Sequence, residues 1–231
     1  EGSDSWFIHD VGDFVPDGFR CPHCKGTLFL KGADILDVWF DSGVSSQSVL
    51  KKRTALQFPA DLYLEGSDQH RGWFQSSIIP AMCIDGRAPF KTVLTHGFVV
   101  DGEGRKMSKS MGNVISPQDI IKNSGADILR LWVASSGYNE DIRISTGIVT
   151  QLSDAYRKIR NTIRFILSNL YDFNPDTDKV SYDALKKLDK AILAEMEKML
   201  SAVTESYEAF DFHGVFGHVH NFCNIQMSEF Y

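Results

Sequence analysis

Between Leu62 and Gly97 the spacing of apolar residues changes period twice, and this limits the available folds more than any other stretch. Asp61-Leu62-Tyr63-Leu64 is a short apolar run that ends at Glu65-Gly66. Asp68 then opens an apolar-periodic stretch through Trp73, Ile78 and Met82 that stops at Asp85-Gly86, and Lys91-Thr92-Val93-Leu94-Thr95 alternates before His96-Gly97. The order is strand, helix, strand, the crossover unit from which parallel sheets are built. In such sheets ligands sit beyond the carboxyl ends of the strands. Glu65-Gly66-Ser67-Asp68 and His96-Gly97-Phe98 are therefore the two places to look for a site.

Further on, Ser116-Pro117-Gln118-Asp119 supplies an N-cap, a proline at the first helical position and an acid in the first turn. It predicts a helix that stops by Gly125, with a second from Ala126 to about Ser135. Beyond that the chain reads as helical throughout. Ile148, Leu152, Ala155, Ile159, Ile163, Ile166 and Leu170 are spaced by three or four, as are Leu185, Leu188, Ile192, Met196, Met199 and Val203. A third helix is expected through Val215, Val219, Phe222 and Cys223. The predicted class is α/β followed by all-α, the second part an incomplete helical bundle.

The first 34 residues show no sustained period and centre on Cys21-Pro22-His23-Cys24, which predicts a loop-rich connective unit. Four cysteines in 231 residues are too sparse for a disulfide scaffold. Cys21 and Cys24 have the spacing of half a tetrahedral zinc site, with His23 a further candidate ligand, or they form a reduced turn without metal. Cys83 and Cys223 fall inside apolar patterns as core thiols. With 24 Lys+Arg against 30 Asp+Glu the net charge is −6, which argues against nonspecific nucleic-acid binding while leaving local basic faces available for phosphates. No apolar run approaches the roughly 20 residues of a membrane span. Glu1-Gly2-Ser3-Asp4-Ser5 has neither the basic start nor the apolar segment of a leader, so no membrane partner and a cytoplasmic location are expected. The missing initiator Met, and the stop at Tyr231 soon after an apolar pattern, predict a piece of a longer polypeptide.

The segment Gly104-Arg105-Lys106-Met107-Ser108-Lys109-Ser110-Met111-Gly112-Asn113 sets three cations and two hydroxyls between glycines. It fits a polyphosphate clamp: lysines bring mobile positive charge, Ser hydroxyls and backbone N–H groups donate, and glycine allows close approach and movement. On charge alone a solvated surface turn competes with this reading. The glycine spacing is not that of a P-loop.

The string Lys106-Met107-Ser108-Lys109-Ser110, followed by Gly112-Asn113 and preceded by His96-Gly97, resembles the second nucleotide-binding motif of class I aminoacyl-tRNA synthetases. Three longer strings look like the isoleucyl branch of that family: Asp37-Val38-Trp39-Phe40-Asp41-Ser42-Gly43, Glu65 through Phe74, and Gly125-Ala126-Asp127-Ile128-Leu129-Arg130-Leu131-Trp132. The likeness continues through Tyr156–Thr162 to Tyr207–His213 and covers the chain from about Ile35 to the end. It implies ATP-dependent ligation, with Mg2+ accompanying ATP: L-isoleucine is activated to its adenylate and passed to tRNA-Ile, and the full-length enzyme is a monomer. It implies the second half of a Rossmann-like nucleotide-binding fold running into a helical bundle, with residues 1–34 connective, 35–112 the downstream catalytic half, 113–147 a stem-contact segment and 148–231 the start of the anticodon-binding domain.

The resemblance also implies residue roles. Lys109, supported by Lys106, would stabilise charge building on the phosphates, and Ser108 and Ser110 would be secondary donors. Glu65 and Asp68 would accept from ribose hydroxyls or the substrate ammonium, with Gly66 allowing close backbone approach. Gln69, Trp39 and Trp73 would frame the isoleucine side chain, and His96 and Gly97 would line the nucleotide pocket. Arg157, Lys158, Arg160 and Arg164 would face tRNA phosphates. Plainer readings stand beside these. Trp39 and Trp73 also fit core aromatics, Glu65 and Asp68 helix caps, His96 a structural histidine, and the basic helix a solvated face. Two parts of the family pattern do not occur in these residues: the upstream His-x-Gly-His element, and a hydrolytic editing domain of the kind that separates isoleucine from valine. The sequence thus predicts half of a split active site, inactive alone, with zinc at Cys21/Cys24 only if further ligands are supplied. A tRNA-binding module without catalysis is the competing class. His213, His218 and His220 read as bundle packing.

Overall fold

The computed structural model describes residues 2–231; Glu1, which opens the predicted connective segment, lies outside them. Contacts divide the chain into two units, one of residues up to Asp61 together with Gln69–Lys91, the other of Leu62–Asp68 with Thr92–Tyr231.

The first unit begins as the loop-rich segment that the sequence predicts. Among its described residues before 38, one helical turn, α1 (Ser5–Ile8), and a 3-10 turn over Val11–Asp13 are the regular pieces. The Lys31 ammonium donates to the Trp6 carbonyl at 2.9 Å, and the Trp6 indole N–H to the Gly32 carbonyl at 3.3 Å, tying the segment back on itself. Helix α2 (Val38–Gly43) starts where Asp37 accepts the Trp39 N–H at 2.8 Å. The crossover helix α3 (Trp73–Asp85) ends at Gly86, left-handed at φ 67°, the conformation that a helix C-terminus asks of glycine. It starts later than the sequence suggests. Residues Ser67–Arg71 form a 3-10 turn instead, and the Gln69 side chain caps the helix by accepting the Trp73 N–H at 2.8 Å. Helices α2 and α3 meet closely: a Cβ on Gly43 would lie 2.2 Å from the Ser76 carbonyl oxygen.

The two predicted strands are present as β1 (Ala60–Gly66) and β2 (Phe90–His96), paired in one sheet. The N–H of Ala60, first in β1, donates at 2.9 Å to the carbonyl of Pro89, next to the first residue of β2. The strands start side by side, as a crossover helix requires.

In the second unit a further pair was not foreseen: β3 (Val99–Asp101) and β4 (Ile142–Ile144) run parallel, with Val100 opposite Arg143. Helices α4 (Pro117–Ser124) and α5 (Ala126–Ser135) have the predicted bounds, and Ser116 caps α4 through its hydroxyl. The long helix α6 (Thr146–Ser168) is capped by Ser145, whose Oγ accepts the Ile148 N–H at 3.2 Å. Ile120, Ile128, Trp132, Ile144, Val149 and Leu152 form one buried cluster where α4, α5, α6 and β4 meet. Helices α7 (Lys187–Glu208) and α8 (Phe212–Asn221) follow, then a wide turn of π-helix over Phe222–Phe230. Thr162 of α6 donates to the Cys223 carbonyl at 3.3 Å, and the Tyr231 hydroxyl to Asp189 at 2.8 Å. Of the three histidines read as bundle packing, His220 stacks on Phe216, while His213, whose ring donates to the Ser135 carbonyl, and His218 are exposed. The chain is α/β, then all-α. Among the described residues no helix is long and apolar enough to cross a membrane.

Candidate functional site

Asp101 closes β3, and its carboxylate organises the loop that follows. The residue is 6% exposed. Oδ1 accepts the backbone N–H groups of Glu103 at 3.0 Å and Arg105 at 2.8 Å, while Oδ2 accepts Arg105 Nε at 3.0 Å and Asn113 Nδ2 at 2.9 Å. These donors, the Asn113 amide foremost, hold the carboxyl well below the usual carboxylate range. Asn113 Oδ1 in turn accepts the Ser108 N–H at 2.9 Å, and its Nδ2 also reaches the Lys106 carbonyl at 3.3 Å. Met107 points the other way and packs on the cluster around Ile120 and Trp132. Ser108 then caps a single 3-10 turn, Lys109–Met111, accepting the Met111 N–H at 3.3 Å and sharing a 3.2 Å hydrogen bond with Ser110 Oγ. Gly112, at φ 65°, ends the turn.

The loop's three cations are used unequally. Arg105 pairs with Asp101 at 3.0 Å and Glu103 at 3.1 Å. Lys106 and Lys109 are exposed, and neither has an ion-pair partner among the described residues. Two free ammonium groups on an anchored backbone, with two hydroxyls beside them, form a surface suited to a polyphosphate. Sequence reasoning found the lysines and serines but missed Asp101, Asn113 and Met107. The signal for Asp101 lay in the glycines at 102 and 104 that follow it, and Asn113 stood in the sequence only as flanking context.

At the end of β1, Glu65 and Asp68 are exposed and Gly66 is buried. A Cβ on Gly66 would stand 2.7 Å from Asp68 Oδ1 and 3.7 Å from His96 Cε1, so glycine leaves room for that carboxylate. At the end of β2, His96 donates from Nδ1 to the Gly97 carbonyl at 2.8 Å. Gly97 has a further reason to be glycine: a Cβ there would lie 2.3 Å from the Glu140 carbonyl, and its N–H donates to the Tyr138 carbonyl at 2.9 Å. His96 and Gly97 border a cavity of about 790 Å³ whose other walls include Leu64, Leu94, Phe98 and Tyr138.

In the other unit, Trp39, Gln69, Gly72 and Trp73 come together. The Trp73 indole N–H donates to the Ser42 carbonyl at 3.0 Å, and a Cβ on Gly72 would stand 2.5 Å from Gln69 Oε1 and 3.2 Å from the Trp39 ring. Trp39 keeps 48% of its surface exposed, which leaves a ring edge for a ligand that a core aromatic would not have.

The four basic residues of α6 do not share one face. At 100° per residue Arg157, Arg160 and Arg164 fall within a narrow arc, and Lys158 lies outside it. Arg160 and Arg164 border one shallow groove with Ile163 and Leu167, Lys158 another with Asn161 and Phe165, and Arg157 is paired with Asp154 at 2.7 Å. Cys21 sits in a tight knuckle where the N–H groups of Cys24 and His23 point at its sulfur and lower its pKa. Among the described residues no group of three or more His, Cys, Asp or Glu could hold a metal. Two thiols do not complete a zinc site.

A model of the family described as "tRNA synthetases class I (I, L, M and V)" matches residues 1–145. The chain is 58% identical over all its 231 residues to isoleucine–tRNA ligase of Caldicellulosiruptor bescii, and 54% identical over 230 residues to that of Listeria welshimeri. In both cases it spans 25% of the relative's length. Among solved structures it resembles a LeuRS–tRNA–LeuAMS ternary complex from Agrobacterium radiobacter K84, with a TM-score of 0.72 at 22% identity over 88% of this chain and 28% of the other. It also resembles methionyl-tRNA synthetase of Mycobacterium tuberculosis in complex with methionyl-adenylate, with a TM-score of 0.56 at 26% identity over 71% of this chain and 32% of the other.

Proposed function

The chain belongs to the class I tRNA synthetases, and from that premise we propose that the protein carrying it is an isoleucine–tRNA ligase in which these residues form the downstream half of the adenylation site. The observation that carries this reading is the loop Lys106–Ser110, with two unpaired lysines on a backbone fixed at both ends. A carboxylate oxygen of isoleucine attacks the α-phosphorus of ATP, the bond to the bridging oxygen breaks and pyrophosphate leaves. Negative charge moves onto the departing phosphates, where Lys109 and Lys106 meet it and Ser108 and Ser110 donate. No covalent enzyme intermediate is needed. Magnesium arriving with ATP would supply part of the charge neutralisation on the phosphates.

Glu65 and Asp68 accept from the substrate ammonium or ribose hydroxyls, Trp39, Gln69 and Trp73 frame the isoleucine side chain, and His96 and Gly97 line the nucleotide side. Arg160 and Arg164, with Lys158 on the neighbouring face and Arg157 shared with Asp154, meet tRNA-Ile phosphates by shape and charge. Residues 1–34, 35–112, 113–147 and 148–231 serve as connective, catalytic, stem-contact and anticodon-side segments of a monomeric cytoplasmic enzyme. Zinc joins Cys21 and Cys24 only with ligands from elsewhere. The 231 residues contain no His-x-Gly-His element, so the chain alone is inactive.

Isoleucine-dependent ATP–pyrophosphate exchange tests this, run on the full-length protein and on the 231-residue chain. Lys109→Ala in the full-length protein is expected to lower exchange about 100- to 1000-fold, the usual loss on removing one group that stabilises transition-state charge. The 231-residue chain is expected to show no exchange. In the full-length protein, exchange unchanged by Lys109→Ala, or tRNA binding with no exchange at all, would overturn the reading.

A further inference from the structure

We propose that Asp101 and Asn113 are positioning residues for the adenylation step, forming a latch that holds the lysine loop in its working backbone conformation. The inference rests on the adenylation reading above and adds to it residues that never touch ATP. Asn113 stands beyond the loop's far end and reaches back across it, gripping the Lys106 carbonyl at 3.3 Å and the Ser108 N–H at 2.9 Å. Met107, between those two grips, is anchored in the core. Asp101, at the loop's near end, holds the Asn113 amide at 2.9 Å and so closes the span. The same carboxylate fixes the hairpin before the loop through the Glu103 and Arg105 N–H groups at 3.0 and 2.8 Å.

Asp101 also binds the guanidinium of Arg105 at 3.0 Å, taking up the one cation of the loop that already has partners. Lys106 and Lys109 are left with ordered backbones and mobile, unpaired side chains. Ordering a backbone segment costs conformational entropy. A latch that meets this cost in the resting protein spares the transition state from meeting it, the general advantage of a preorganised site. A surface turn that happened to be basic would not require a buried carboxylate with all its donors drawn from one loop.

The test uses single-turnover adenylate formation in the full-length protein, with kcat and KM for isoleucine measured separately. Asn113→Ala and Asp101→Asn are each expected to lower kcat about tenfold to a hundredfold, the range for losing a hydrogen bond to a charged group. KM for isoleucine should not change. The double variant Asp101→Asn with Asn113→Ala breaks the same latch twice and is expected to lose no more than about threefold beyond the larger single loss, where independent residues would multiply theirs. Amide exchange over residues 104–112 should speed up in each single variant and little further in the double one. A kcat that follows only the folded fraction, or losses that multiply in the double variant, would overturn the latch. Lys109→Ala in the same background separates the two ideas. If it abolishes activity while the latch variants remain fully active, the latch fails and the adenylation reading survives; if it has no effect, the adenylation reading fails first.

Discussion

A buried carboxylate that keeps its charge needs a full set of donors, and Asp101 has four. Its pKa is held well below the ordinary value, the Asn113 amide contributing most, which fixes the sign of its pH dependence. The unfolded chain titrates this group near about 3.9, so its stabilising contribution is complete above that value and is lost as pH falls toward the lower folded-state pKa. Asp101→Asn should therefore lower the melting temperature by a constant amount from neutral pH down to about 5, with the gap closing below about 4 as the wild-type carboxyl protonates. Thermal melts of both proteins from neutral pH to about 2 check it; a gap that widened on acidification would mean that Asp101 is not the ionised hub. Side chains with a local signature, the lysines and serines of the loop, were legible in the sequence. Asn113 was not, because its partners, Lys106, Ser108 and Asp101, become its neighbours only when the loop folds back. Gly97 was read for its ligand side, whereas the 2.3 Å approach of the Glu140 carbonyl gives backbone packing as its own reason for glycine.

Helix α4 was legible from the Ser116 cap and the proline after it, and α6 and α7 from apolar spacing of three or four. Ser145 adds to α6 a cap that the spacing alone does not reveal. Its Oγ accepts the Ile148 N–H at 3.2 Å at the head of a 23-residue helix whose first turns carry the buried Val149 and Leu152. Ser145→Ala is expected to cost about 1 kcal/mol, measured as a fall in the denaturation midpoint at unchanged slope, since substituting a hydroxyl cap removes about that much. No loss would show that water serves the same N–H equally well. The unforeseen pieces lack such signals. β3 and β4 have three residues each, too few to show an alternation, and they pair across 43 positions, Val99 with Ile142. The start of α3 slipped from Asp68 to Trp73 because Gln69, a residue without a strong capping signature, takes the cap while a 3-10 turn uses the residues before it.

Both units expose large apolar side chains: in one, Leu28 and Leu30 are 98% and 96% exposed, and in the other Phe165 is 73% exposed, with Leu64 and Val133 open at the edge of the apolar cavity beside His96. Exposed leucines and phenylalanines in this number favour association. The chain spans 25% of the relatives it matches, and the rest of such a protein is the natural cover. Expressed as 231 residues, the chain should therefore bind a dye specific for exposed apolar surface and self-associate as its concentration rises. Its net charge of −6 is too small to hold such faces apart at physiological ionic strength, where screening acts beyond about 8 Å. Sedimentation velocity over a hundredfold range of concentration, with dye titration alongside, decides the matter. A concentration-dependent sedimentation coefficient with strong dye binding is expected. A monomer at every concentration that binds no dye would mean that the apolar faces close over one another in solution.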